Sequence, residues 1–120
     1  MTQTDYYVKR VLDAVFNGVP FTVGIAYVGL GVSDGGTGVV ELTFSDYSRK
    51  PVVWNAALDD GSINTAQQIV WSPSSSWGTV TKAFLSDSSQ GGNMLFTASI
   101  GISVGAGSKV YVDPGDLYVT

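Results

Sequence analysis

The chain has no cysteine, no histidine and only one glutamate, Glu41, among its 120 residues. Without cysteine there can be no disulfide, and the sequence does not distinguish an oxidising from a reducing compartment. Zinc sites built from Cys and His, and catalytic triads that use an imidazole base, are also excluded. A glycosidase would have to pair Glu41 with an aspartate or use two aspartates, and no motif brings such a pair together. We therefore expect a protein that is not an enzyme and that needs no cofactor.

Charged side chains are scarce as well. Six lysines and arginines stand against ten acidic residues, so the charged fraction is 13% and the net charge is −4. Ordinary soluble domains carry about 25% charged residues. The chain has two pairs of neighbouring basic residues, Lys9-Arg10 and Arg49-Lys50. They do not form the basic stripe that binding to a nucleic acid requires. With 14 serines, 10 threonines and 15 glycines, the chain has either a neutral, hydroxyl-rich β surface or a surface that partners cover.

Long apolar runs are missing too. No stretch approaches the roughly 18 apolar residues that a membrane span needs. The first ten residues, MTQTDYYVKR, include an acid and no apolar core of a signal peptide. We expect no membrane partner and no cleaved leader.

One segment near the N-terminus has the period of a helix. Thr4 can cap its first turn, Gly18 can take the left-handed position that ends a helix, and Pro20 prevents continuation. The pattern predicts a helix over about residues 5–17, with an apolar stripe that docks on the rest of the protein. The stripe consists of Val8, Val11, Leu12, Val15 and Phe16.

The chain after Pro20 favours β-structure. In the whole chain 17 valines outnumber 7 leucines, and β-branched side chains suit pleated surfaces. Pro51 indicates an edge or bulged strand. Turn signals divide this part of the chain into the predicted strands Phe21–Leu30, Val39–Phe44, Tyr47–Leu58, Ile63–Trp71, Gly78–Ser86, Asn93–Ser103, Ser108–Asp113 and Leu117–Thr120.

Seven or eight short strands at this spacing predict a mainly β fold. The architecture we expect is an antiparallel β-sandwich, immunoglobulin-like or jelly-roll-like, with one N-terminal α-helix. No stretch has the composition of a linker, so residues 1–120 are predicted to form a single domain.

Several motifs could carry chemistry, but each has a simpler interpretation. The loop GLGVSDGGTG lacks the Lys-Ser/Thr ending of a phosphate-binding loop. Asp59 and Asp60 could form a carboxylate pair or bind calcium, yet the sequence DDGS is typical of a hairpin turn. Trp54, Trp71 and Trp77 could form an aromatic platform for sugars, although aromatic residues more often lie in cores or interfaces. A carbohydrate-binding module therefore stays open as an alternative.

The order of motifs along almost the whole chain resembles a family of small bacteriophage virion proteins, many of them labelled tail fibre protein. The shared pattern is an N-terminal helix, a strand and a glycine-rich loop, followed by YxRxxV, NTA, WGTVT, GGNxL and VxxGxxxxV segments. These segments match, in turn, Tyr47, Arg49 and Val52; Asn64, Thr65 and Ala66; Trp77 to Thr81; Gly91, Gly92, Asn93 and Leu95; and Val104, Gly107 and Val112.

The resemblance implies a non-enzymatic structural component of the virion, assembled in the host cytoplasm. Because the chain has no heptads and no repeats, we expect a capsid decoration or cement protein that stabilises the head lattice. The alternative is a tail- or fibre-associated adaptor. Its partners would be phage capsid or tail proteins and further copies of itself in a homo-oligomer.

The interface of such a protein is expected to lie in turns, because open strand edges invite uncontrolled pairing. The predicted interface residues are Asp34, Asp59, Asp60, Ser74, Trp77, Gln90 and Asn93.

Overall fold

A computed structural model describes residues 1–36, 38–115 and 118–119 of the chain. These residues form a mainly β fold with antiparallel strand pairs and one α-helix near the N-terminus, as predicted. The helix α1 spans Asp5–Phe16, and the strands are β1 (Thr2–Gln3), β2 (Tyr27–Ser33), β3 (Val39–Glu41), β4 (Lys50–Pro51), β5 (Ile63–Asn64), β6 (Ile69–Trp71), β7 (Gly78–Ser86), β8 (Met94–Val104), β9 (Val110–Val112) and β10 (Tyr118–Val119).

The main sheet has the strand order β1-β8-β7-β2-β3, and β4 pairs with the first residues of β2. Strands β7 and β8 form its long central hairpin, from Gly78 paired with Val104 to Ser86 paired with Met94. Pro51 lies in β4, whose one strand partner in the described chain is β2, so its missing N–H does not interrupt a central ladder.

Helix α1 begins and ends where the sequence predicts. The Tyr7 N–H donates a hydrogen bond to the Thr4 hydroxyl (3.3 Å), and Gly18 has a φ of 67° just beyond the last turn. Thr4 also donates to the Met94 carbonyl (2.6 Å), which joins the start of the helix to β8. In the described part of the chain, no helix has the length and hydropathy needed to cross a membrane.

The prediction that the apolar stripe docks the helix is wrong in part. Tyr7 makes the contact instead, because its ring centroid lies 4.5 Å from that of Phe96 on β8 and 6.1 Å from that of Phe21. The C-terminal half of the stripe stays in solvent, with Phe16 77% exposed and Val15 67% exposed. Tyr7, which directly precedes the stripe in the sequence, therefore holds the helix on the sheet.

The core lies on the face of the main sheet that β6 and β9 cover. These two strands pair as a short ribbon from Ile69–Val112 to Trp71–Val110. Trp71 is 1% exposed and packs over Val28 and Leu30, while its indole N–H donates to the Ser48 carbonyl (2.7 Å). The ribbon gives the fold a sandwich-like second layer that is much smaller than the main sheet.

Several of the predicted strands differ from the structure. The segment from Ile63 to Trp71 divides into β5 and β6, which pair in different sheets, and the segment from Val39 to Phe44 is a strand only over β3. The segment predicted from Phe21 to Leu30 becomes β2 only at Tyr27, because Phe21 turns aside to pack on α1. The segment from Tyr47 to Leu58 pairs only at β4 and at an isolated bridge between Trp54 and Thr65. Residues 117 and 120 of the last predicted strand lie outside the described residues. The single domain over residues 1–120 stays a prediction.

Candidate partner-binding site

Arg49 is the centre of a polar network that joins two elements of the main sheet. Its side chain is only 6% exposed. The guanidinium donates to both carboxylate oxygens of Glu41, from Nε at 2.8 Å and from Nη2 at 3.0 Å. Nη1 lies within 2.9 Å of the Ser86 hydroxyl and of the carbonyls of Ser88 and Gly91. One side chain thus ties β3 to the turn after β7.

Tyr47 completes this network. Its hydroxyl donates to Glu41 Oε2 (2.6 Å) and accepts a hydrogen bond from the Leu30 N–H (3.0 Å). Burial, followed by the hydrogen bond to Glu41, raises the pKa of Tyr47. Burial acts to raise the pKa of Glu41 too, but the hydrogen bonds from Arg49 and Tyr47 outweigh it and hold this pKa below its ordinary value. The one glutamate of the chain is therefore an ionised structural group.

The turn between β7 and β8 contains two of the predicted interface residues, Gln90 and Asn93. The Asn93 backbone N–H donates to Asp87 Oδ1 (2.8 Å), and the Asp87 N–H donates to the Asn93 carbonyl (3.2 Å). Gln90 is exposed at the tip, where its carbonyl accepts from the Ser88 hydroxyl (2.7 Å). Asn93 therefore closes the turn, and Gln90 is the residue whose side chain faces outward.

Asp46 brings the predicted interface residues Ser74 and Trp77 together. Its carboxylate accepts from the backbone N–H groups of Ser74 (2.9 Å) and Ser75 (3.0 Å), and from both of their hydroxyls. It also accepts from the Trp77 indole (2.9 Å). These hydrogen bonds, led by the one from Trp77, hold the pKa of Asp46 well below its ordinary value. A single carboxylate thus fixes the SPSSS loop that precedes β7.

We expect the stabilising effect of Asp46 to depend on pH. Because its folded-state pKa is lowered, the stabilisation is complete above the ordinary aspartate pKa of about 4 and is lost as the pH falls towards the lower folded-state pKa. Asp46→Asn should therefore unfold at lower denaturant concentration than the wild type near neutral pH. The difference should shrink progressively below about pH 4. Urea titrations of both proteins across this range test this, and a difference that is constant with pH would contradict it.

The other predicted interface residues lie in turns of their own. Asp34 follows β2 and accepts from the Gly36 N–H (2.9 Å). Asp60 accepts from the N–H (3.0 Å) and hydroxyl (2.6 Å) of Ser62, and these hydrogen bonds lower its pKa. Asp59 is exposed beside it. These hydrogen bonds are those of tight turns, and among the described residues no group of three or more acidic side chains could hold a metal ion.

The predicted interface residues do not lie on one surface. Ser74 and Trp77 come before the start of β7, and Asp34 follows Ser33, whose N–H donates to the hydroxyl of Thr81 in the first half of β7. Gln90 and Asn93 lie beyond the opposite end of the same strand. A partner that contacts all the predicted turns would have to span the length of the sheet.

Two of the three tryptophans cannot offer a ring face to a sugar. Trp71 and Trp77 are 1% and 4% exposed. Phe44 stacks on Trp77 with a centroid distance of 6.4 Å, and Tyr47 meets it edge-on at 5.6 Å. Trp54 is half-buried. This packing favours the core interpretation over an aromatic platform.

Exposed apolar side chains are concentrated at the C-terminal end of α1. We call this group the helix patch; it consists of Leu12, Val15, Phe16 and Val19. Each of these side chains is more than two-fifths exposed, whereas large apolar groups on a monomeric surface usually occur singly. The sequence signal for the patch is the apolar stripe itself, a pattern that predicts a contact with the core. The helix patch is the best candidate for a partner contact on this end of the molecule.

Comparison with known proteins gives one family. The family profile described as "Podophage GP4 fiber I protein gp80" matches residues 2–120 of the chain. No curated protein matches the chain.

Proposed function

Because this chain belongs to the podophage GP4 fiber I protein gp80 family, and is thus a structural protein of the phage virion, we propose that it acts as a fibre-associated adaptor. In this role it binds neighbouring virion proteins and catalyses no reaction. The observation that carries the proposal is the helix patch, since its four large apolar side chains in solvent mark a binding surface. The expected head decoration protein becomes the second candidate.

The polar groups support a structural role. Glu41 is held by Arg49 and Tyr47, and Asp46 is held by the loop that contains Ser74 and Ser75. A general acid or base needs an exchangeable proton within reach of a substrate, and both of these carboxylates are ionised and occupied by internal donors. Their geometry rigidifies turns, which suits a protein that presents fixed surfaces to its neighbours.

The compact shape of the molecule is the feature that favours the second candidate, the head decoration protein. The principal extents of the molecule are 48 × 29 × 21 Å, and the sequence contains no heptads or repeats that would form a long shaft. A decoration protein would stabilise the head by binding its assembled lattice in many copies. A fibre-associated adaptor of this size would instead occupy a junction, where a short body with two binding surfaces is sufficient.

Immunogold electron microscopy of purified virions, with antibody against this chain, separates the two candidates. We expect gold at the fibres or at their attachment to the tail. Gold over the head would contradict the adaptor role and support decoration. Virions that carry a Phe16→Ser variant should lose the label if the helix patch is the contact, whereas a Leu58→Ser variant, which also removes an exposed apolar side chain, should keep it.

A further inference from the structure

The outer edge of β8 is open over most of its length. Strand β1 pairs with it only at Thr97 and Phe96, and no other strand of the described chain lies beyond it. The open stretch, Ala98–Val104, contains no charged residue and no proline. Natural sheet edges are usually protected by lysine, proline, β-bulges or short strand length. Of these devices the stretch has only a bulge, at Ile100 and Gly101, where the register with β7 shifts by one residue. A long neutral edge is therefore typical of a surface that another strand covers.

An apolar groove of about 390 Å³ lies beside this edge, between the main sheet and the ribbon of β6 and β9. The side chain of Met1 already lines the groove, next to the place where β1 pairs with β8. The edge thus accepts an antiparallel strand, and the groove accepts a side chain from it. The groove is lined by Ala98, Ile100 and Ile102 of the edge strand β8 and by Val110 and Tyr111 of β9 in the ribbon.

We infer that the open edge of β8 pairs antiparallel with the same edge of a second copy of the chain. Backbone N–H and C=O groups along a strand edge are satisfied by another extended strand, so the edge itself selects the kind of partner. The two-fold axis lies near Gly101, the midpoint of the stretch Ala98–Val104. An axis perpendicular to the sheet keeps both grooves on one face, where Ile100 and Ile102 of each copy cover the groove of the other.

The charges around the open edge of β8 are compatible with pairing to a second copy of the chain. The edge strand itself carries none, so the two edges do not repel each other directly; the cations beside it are Lys82 and Lys109, and Lys109 lines a pocket with Ser103 and Val104. Lys82 lies one strand inward and donates to the Ser99 hydroxyl (3.0 Å). The two copies of Lys82 would be three strand spacings apart, about 14 Å, which exceeds the Debye length of about 8 Å in physiological salt. The neutral segment can therefore pair with a second copy of itself, whereas it has no charge that would attract a charged partner.

Sedimentation velocity of the purified full chain and two lysine variants tests the inference. With the axis near Gly101, Ser103 faces Ser99 of the second copy, close to Lys82 of that copy. Ser103→Lys should raise the dimer Kd by about tenfold or more, because two-fold symmetry repeats the like-charge contact. Ser103→Glu should keep the dimer, since it places an acid near that lysine. Thr79→Lys is the matched control: it is exposed and pairs with Ser103, but lies on β7, one strand inward.

A wild-type dimer that survives Thr79→Lys and Ser103→Glu but dissociates in Ser103→Lys supports the inference. A wild type that is monomeric at every concentration overturns it, and so does a dimer that all three variants retain. Dissociation by Phe16→Ser, with Ser103→Lys still dimeric, would also overturn it and assign the contact to the helix patch. Thermal unfolding of each variant verifies that it is folded. Self-association is measured on the purified chain and does not depend on where the protein lies in the virion.

Discussion

Replacing Arg49 with methionine should lower the free energy of unfolding by about 3 kcal/mol, because removing one partner of a buried ion pair leaves the other without compensation. Glu41 would lose two hydrogen bonds, and the carbonyls of Ser88 and Gly91 would lose theirs. Arg49→Lys should destabilise as well, since an ammonium keeps the charge but cannot reproduce the bidentate fork. Urea unfolding followed by tryptophan fluorescence measures both variants.

The matched control for this prediction is Lys9→Met. Lys9 also forms an ion pair, with Asp13 at 2.8 Å, but its side chain is 76% exposed. Exposed pairs contribute little because water and salt screen them. We expect the unfolding midpoint of Lys9→Met to stay close to that of the wild type. Equal losses in the two variants would show that the network around Arg49 is no stronger than a surface pair.

Gly29→Ala should cost about 1–3 kcal/mol through overpacking. Gly29 on β2 pairs with Phe84 on β7, and a Cβ at Gly29 would collide with the Phe84 ring. The added Cβ would meet the tip of that ring, which is fully buried and has the Arg49 guanidinium 5.1 Å from its centroid. The ring therefore has no room to move away from an added methyl group.

A double-mutant cycle with Phe84→Ala isolates this contact. Phe84→Ala alone should cost about 3–5 kcal/mol, the usual range for a buried phenylalanine. The double variant should lose less than the sum of the two single variants, because without the ring the methyl group meets no obstacle. Additive losses would contradict the collision and would mean that Gly29→Ala acts on the backbone of β2 alone.

Local patterns in the sequence were enough to predict the helix and the longest hairpin. Thr4 and Gly18 mark the helix ends through capping geometry that involves neighbouring residues only. The turn between β7 and β8 is predicted by SDSSQGG, whose glycines can adopt positive φ. The virion family was also recognised, because its motifs follow one another along nearly the whole chain.

The contacts between distant segments could not be predicted in the same way. Asp46 organises the loop around Ser74 and Trp77 across about 30 residues of sequence, and no local pattern distinguishes it from other turn aspartates. The pairing of Glu41 with Arg49 has a weak signal in the low fraction of charged residues, since a half-buried glutamate needs a cation beside it. The exposed helix patch was missed because a periodic apolar stripe fits a core and an interface equally well.

The attachment of the N-terminal segment to β8 has a consequence for synthesis on the ribosome. The Thr4 hydroxyl contacts the carbonyls of Met94 and Leu95, which are 90 and 91 residues later in the sequence. Strand β1 therefore stays without its partner strand, and Tyr7 without Phe96, until translation has passed these residues. During that interval their apolar surface depends on chaperones or on transient local structure for protection. Closing a loop of this size makes the docking of the first residues a late step of folding.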